Sequence, residues 1–246
     1  CANRIIDGEF YVSRSGPTFL MGRMVDLGIL KPYLEEHCPT EHYGICAYLD
    51  SLPSDGQHFL WRPNSPMAKQ GGWVSTRNEY DRIVRGSLTE PRCLWWQIRG
   101  SIASTADLLT RWEIDDGLWS HWYRTPESPP AMLMAAHMPH EMPDYLGSLQ
   151  NGGRGELDMH WPDIVYSLVL GLSLLAMIWS LWIQRRKEEG METRIFIRYV
   201  AMSVLIGAWA CATLSTPIAR YLGRDSWLIT LSVIIAVAAH PRLFTV

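Results

Sequence analysis

The stretch Ile164-Val165-Tyr166-Ser167-Leu168-Val169-Leu170-Gly171-Leu172-Ser173-Leu174-Leu175-Ala176-Met177-Ile178-Trp179-Ser180-Leu181-Trp182-Ile183 decides the class of this protein. It carries no charge over about 20 residues, the length at which an α-helix crosses a hydrocarbon core. Asp163 bounds it on one side and Arg185-Arg186-Lys187 on the other. Two further segments follow. Tyr199 to Leu214 reaches back through Ile195, Phe196 and Ile197 if Arg198 snorkels to the interface. Trp227 to Ala239, before His240-Pro241-Arg242, spans only by borrowing Tyr221-Leu222 or Leu243 to Val246.

Upstream the composition changes. The 48% hydrophobic share of all 246 residues looks like that of a soluble protein, but residues 1–163 hold most of the Pro, Gly, His and acidic residues. The expected architecture is therefore mainly α: a helical extracytoplasmic domain with irregular loops over 1–160, then three transmembrane helices over 161–246. Of the 12 Trp, Trp161 and Trp227 stand where an interfacial aromatic belt would place them. A net charge of -3, with no Lys/Arg run alternating with aromatics, argues against nucleic acid as a partner. The lipid bilayer and other membrane-protein subunits are the partners expected.

Loop charges predict the orientation. Gln184 to Arg198 carries Arg185, Arg186, Lys187, Arg194 and Arg198, against Arg220 and Arg224 in Ser215 to Ser226. The positive-inside bias puts the first loop in the cytoplasm and residues 1–160 outside, in the periplasm of a bacterial inner membrane. Cys38 and Cys46 enclose a short loop with Pro39 and Gly44, and a disulfide is the default there in an oxidising compartment. Zinc held by His37, His42 and the same two cysteines is the competing reading. Cys93 is expected as a buried thiol and Cys211 as a small residue within a membrane helix. Cys1 is compatible with a lipidated N-terminus or with a longer precursor.

Within residues 1–160, Phe19, Leu20, Met24, Leu27 and Leu30 recur at helical spacing, as do Tyr80, Ile83, Val84 and Leu88. A third stripe, Leu94, Trp95, Ile98, Ile102, Leu108, Leu109 and Trp112, is expected to pack into the core. Asp50 to Gly72 reads as surface loop around Phe59-Leu60-Trp61, and the proline-rich stretch 125–155 as a wrapped connection.

Three constellations carry chemistry by residue type. Met134, His137, Met138 and His140, with Met132 and Met142, offer thioether and imidazole ligands suited to copper; Met equally fills irregular cores. His240, with Ala236 four residues earlier, has the form in which a small residue floors a pigment macrocycle beside its axial ligand; an interfacial His solvated by headgroups is the plainer reading. The carboxylate pairs Glu35/Glu36 and Asp115/Asp116 point to different sides of a helix and form no shared-proton dyad. G-x-S-x-G, P-loop and G-x-G-x-x-G motifs are absent.

Ser15 to Ile29, with Gly22-Arg23-Met24-Val25-Asp26, then Cys38-Pro39, Cys46-Ala47-Tyr48, Leu52-Pro53, Phe59-Leu60-Trp61, Gly155-Glu156-Leu157 and Leu214 to Tyr221, resembles an uncharacterised family of proteobacterial inner-membrane proteins. Longer members of that family are similar in layout to polyprenyl-phosphate-sugar glycosyltransferases of the C superfamily. The resemblance implies a phosphate, sugar or headgroup contact at Arg220 and Tyr221. The chain departs from it at Ile218 and Ala219, where the family tends to carry His and Asp. It also lacks the N-terminal membrane helices and the first loop in which those transferases place their catalytic acid. The leading expectation is an accessory or scaffolding subunit of a larger membrane complex, respiratory or photosynthetic among the settings, with Gly171, Gly207, Ala208 and Ala212 favouring close helix packing. The C-terminal part of a lipid-linked glycosyltransferase-like enzyme and a periplasmic copper-handling protein are the alternatives.

Overall fold

A computed structural model describes residues 8, 13–114, 125–126, 128–149, 151, 159–183 and 191–239. Cys1, Asp115, Asp116, the stretch 155–157, the basic run 185–187, His240 and the side chain of Arg220 lie outside the described residues. The described chain is mainly helical, with no strand among its described residues. It divides into two compact units, one of Cys1–Ala103, Thr125–Pro139 and Ala212–Thr216, the other of Ser104–Arg124, His140–Cys211 and Pro217–Val246.

In the first unit, α1 (Gly16–Asp26), α2 (Leu30–Glu41), a 3-10 helix (Gly44–Ser51), α3 (Gly56–Trp61), α4 (Pro66–Lys69), α5 (Gly72–Ser75) and α6 (Arg77–Thr89) surround one core. Helix α1 starts at a proline in its first turn, where the missing N–H is harmless. It buries Met21, Met24 and Val25 against Leu30, Leu34, Ile45, Tyr80 and Ile83. The apolar stripes of α1 and α6 thus face the core as their spacing predicts, except that Leu88 is exposed and Ser87 takes the buried place.

Two expectations need correcting. The stretch 50–72 is not surface loop: α3 and α4 form there, and Phe59, Leu60 and Met67 are buried. Turn-forming residues supply helix caps in this stretch, the Asp55 side chain accepting from His58 N and the Ser65 side chain from Ala68 N. The third stripe also divides. On α7 (Pro91–Leu108) it is Cys93, Ser101, Thr105 and Leu108 that are buried, while Leu94, Trp95, Ile98 and Ile102 are exposed. The helical period is right, but the helix turns its smaller and more polar residues toward its own chain. One reason is steric: a Cβ at Gly100 would come within 2.3 Å of Leu27, so α7 seats a glycine where it meets α1.

Three helices are long and apolar enough to cross a membrane: α10 (His160–Ile183), α11 (Met191–Leu214) and α12 (Ala219–Ala239); they belong to the second unit, except that α11 from Ala212 onward counts with the first. Between α7 and these lie α8 (Pro129–His137), a 3-10 turn (Pro139–Glu141) and α9 (Met142–Gly147). Helix α11 takes in Ile195 to Ile197 and starts at Met191; α12 gains its length by taking in Tyr221-Leu222. Tyr166 hydrogen-bonds Ser226, Ser173 donates to Thr230 Oγ1 at 3.1 Å, and Ser232 lies 3.9 Å from the Met177 sulfur. These pairs advance in the same direction along both helices, so α10 and α12 are parallel. That is what a first and third crossing require. Such bonds in lipid contribute about 0.6 kcal/mol each on average.

Small residues are spent on this internal packing. Ala208 and Ala236 are buried in the cluster of Leu170, Val204 and Ile229, and a Cβ on Gly207 would meet Asp225 at 3.2 Å. The last turn of α7 and the segment after it join the same unit: Leu108 is buried in that cluster, the Trp112 ring stands 3.5 Å from where a Gly171 Cβ would be, and Ile114 N donates to Asp163 Oδ1 at 2.7 Å.

Candidate functional sites

The cysteine pair is built by a left-handed residue. Helix α2 ends at His42, whose φ is 50° and whose N–H reaches back to Cys38 O. The chain therefore reverses into the 3-10 helix, bringing Cys38 and Cys46 to a Cα separation of 5.8 Å with their sulfurs at disulfide distance. Pro39 lies within α2 and Gly44 gives its N–H to Glu79, so His42 makes the turn.

His37 has partners of its own. Its Nε2 hydrogen-bonds Glu90 Oε1, its ring stacks on Tyr33 at 4.2 Å, and the other Glu90 oxygen accepts from the Cys93 thiol at 3.4 Å. A histidine, a carboxylate and a thiol from helix ends 53 residues apart thus share one site, which sequence spacing could not reveal. It is a poor nucleophile site. Burial, then the bond and charge of Glu90, push the Cys93 pKa up to about 11, whereas a reactive cysteine needs its thiolate favoured. No group of three or more His, Cys, Asp or Glu among the described residues is placed to hold a metal.

A second polar cluster gives the Gly22-Arg23-Met24-Val25-Asp26 motif a structural role. Leu60 side-chain atoms lie 2.9 Å from where a Gly22 Cβ would stand. Arg23 is 2% exposed, donates to Gly100 O at 3.3 Å and sits 4.0 Å from Asp26. Asp26 accepts from Gly56 N at 2.6 Å. Burial pulls the Arg23 pKa below its ordinary value, and the Asp26 charge opposes this. The motif thereby ties α1 to α3 and to α7.

The third cluster is Asp55, His58 and Arg62 on α3. Asp55 caps the helix and also bonds the His58 ring at Nδ1, and Arg62 donates to His58 Nε2 at 2.7 Å. Burial raises the Asp55 pKa, but the His58 bonds and the charges of His58 and Arg62 outweigh it and leave the pKa lowered. This spacing of three and four residues is visible in the sequence, yet no serine or cysteine nucleophile is bonded to the imidazole.

Of the sequence candidates, His140 pairs with Glu141 at 3.3 Å, and Met132 and Met138 are exposed. Tyr221 lies under the Arg224 guanidinium at 5.7 Å. Ala236, the proposed floor for a pigment beside His240, has no exposed surface.

What remains open is a face of α10. Leu175, Ala176, Ile178, Trp179 and Trp182 line a groove of about 660 Å³, with the two indoles 5.5 Å apart. A smaller groove on α11 is lined by Ile195, Arg198, Tyr199, Met202, Ser203 and Ile206. No family model, curated protein or solved structure matches the chain.

Proposed function

We propose that this membrane protein is an accessory subunit of a larger assembly in a bacterial inner membrane, with residues 1–160 as its periplasmic domain. The observation that carries the reading is the groove beside Trp179 and Trp182, left uncovered after α10 has packed on α12. Lipid tails are as apolar as leucine, so helices associate in a bilayer by shape and packing. A paired-indole groove offers shape, and tryptophans are the side chains that most often dominate binding energy at protein interfaces. The Lys/Arg asymmetry of the loops supports the orientation, and the Cys38–Cys46 pair fits an oxidising compartment. An energy-transducing complex, respiratory or photosynthetic, is one setting for such a subunit.

The experiment is extraction from native membranes into polymer nanodiscs, followed by native mass spectrometry of the Trp179→Ala/Trp182→Ala variant and the parent. The parent should travel with a stoichiometric protein partner that the variant loses. A parent recovered alone would refute the reading, and a glycosyl-transfer activity in membranes abolished by Arg220→Ala would replace it. Thiol labelling of Gly190→Cys only from the inner side, and of Leu214→Cys from the outer side of intact cells, checks the orientation. Leu214 suits this because it is exposed at the end of α11.

A further inference from the structure

Helix α7 is amphipathic in an unusual sense, because the apolar side is the uncovered one. Leu94, Trp95, Ile98 and Ile102 are 39%, 61%, 44% and 62% exposed and recur at one-turn spacing. Arg92 and Arg99, also exposed, adjoin this stripe on the helix surface, and Arg92 lies over the Trp96 ring at 4.9 Å. With this many polar residues α7 does not qualify as a spanning helix. A face of tryptophan and branched aliphatics edged by arginines is the pattern of a helix lying in the membrane interface.

Two contacts bear on where this helix lies. Gln97, on the helix that bears the stripe, donates its amide to Thr213 O at 3.4 Å. Thr213 belongs to the last turn of α11, where carbonyls lack intrahelical partners, so this part of α7 stands where a membrane-spanning helix reaches the bilayer surface. Further along, the chain leaving α7 is tied to the flank of α10: Leu108 is buried in the cluster of the spanning helices, and Trp112 packs beside Gly171. One anchor to membrane helices thus lies within the stripe, at Gln97, and others follow it, at Leu108 and Trp112.

We infer that α7 lies in the leaflet in which α11 ends, with Leu94, Trp95, Ile98 and Ile102 among acyl chains and Arg92 and Arg99 at lipid phosphates. The occupant of the face is phospholipid, and the inference is independent of whether a protein partner covers Trp179 and Trp182. Interfacial burial of such a face also explains why the helix keeps its smaller residues inward: the large apolar ones are taken by lipid. The arginines reach the phosphates while their stems cover apolar surface.

The test uses the full chain in native membranes. A photoreactive benzoylphenylalanine is placed in separate variants at Ile98, at Ile102, at Ile234, which is 59% exposed on α12 and outside the groove of α10, and at Arg85, which is 78% exposed on α6. After illumination, intact-mass spectrometry distinguishes a phospholipid adduct, a protein adduct and the bare chain. Thiol protection of Cys93 reports that each variant is folded, since this residue is buried in the first unit. Phospholipid adducts at Ile98, Ile102 and Ile234, with none at Arg85, are the expected result. A protein adduct at Ile98 or Ile102 overturns the inference in favour of a docking surface. Bare chain at either position while Ile234 captures lipid overturns it in favour of solvent.

Discussion

Replacing Asp26 by asparagine removes one negative charge that faces Arg23. The amide oxygen of Asn can still accept the Gly56 N–H now bonded to Asp26 at 2.6 Å, so that bond, contributing about 1 kcal/mol, is retained. What is lost is the negative charge 4.0 Å from a guanidinium that is 2% exposed. Removing one partner of a buried pair costs about 3–5 kcal/mol, because the other charge is left uncompensated. The 4.0 Å separation and the 14% exposure of the carboxylate argue for the lower end, about 3 kcal/mol, or a roughly hundredfold rise in the unfolded population. With a urea slope of about 1–3 kcal/mol/M, the unfolding midpoint of the first unit should fall by about 1–3 M. Cys93 provides the assay, because it is 8% exposed and sits in the core of that unit. Maleimide pulses over a urea series, with the Cys93 peptide quantified by mass spectrometry in nanodisc-held protein, give the midpoint directly. The double variant Arg23→Met/Asp26→Asn should recover part of the loss, since no charge is then stranded. A midpoint within about 0.3 M of the parent, well inside the expected fall, would refute the reasoning, as would a double variant that loses the full sum of the two single changes.

Three other perturbations have defined outcomes. Gly56→Ala would place a Cβ 2.5 Å from the Gly22 carbonyl oxygen; backbone cannot yield cheaply, so the same urea midpoint should drop by the equivalent of about 1–3 kcal/mol, and an unchanged midpoint would show that α1 and α3 are not in close contact. Opening the Cys38–Cys46 pair by Cys38→Ser/Cys46→Ser releases a loop of sequence separation 8, for which loop-closure entropy gives a loss of about 2–3 kcal/mol, read as faster Cys93 labelling. Asp55 has a depressed folded pKa, so its contribution is fully present above the unfolded value of about 3.9 and is lost as pH falls through the folded value. Hydrogen exchange of the peptide covering α3, corrected for intrinsic rate, should accelerate in that acid range in the parent and be pH-insensitive in Asp55→Asn; acceleration already at neutral pH would contradict the sign.

The membrane helices were legible because partition into a bilayer is a sum over about 20 consecutive residues, and the run Ile164 to Ile183 contains the whole sum. The cores of α1 and α6 were legible for a related reason: Met24 and Leu30, with Phe19, Leu20 and Leu27 packed beside them, and Tyr80, Ile83 and Val84 recur at the helical period, though Met21 and Val25 joined the core unannounced. Periodicity names the face but not what covers it. On α7 the large residues Trp95, Ile98 and Ile102 are left outside and Ser101 and Thr105 are buried, an outcome set by the close approach of Gly100 to Leu27 and by Gln97 reaching Thr213. The site of His37, Glu90 and Cys93, and the buried tie from Arg23 to Gly100, join residues more than 50 positions apart. No local pattern encodes such pairs; they exist only once helices from distant parts of the chain share one core. Local hydropathy and helical period therefore determined that the protein is helical and membrane-spanning, and tertiary packing alone decided which apolar faces remain free to meet lipid or a partner.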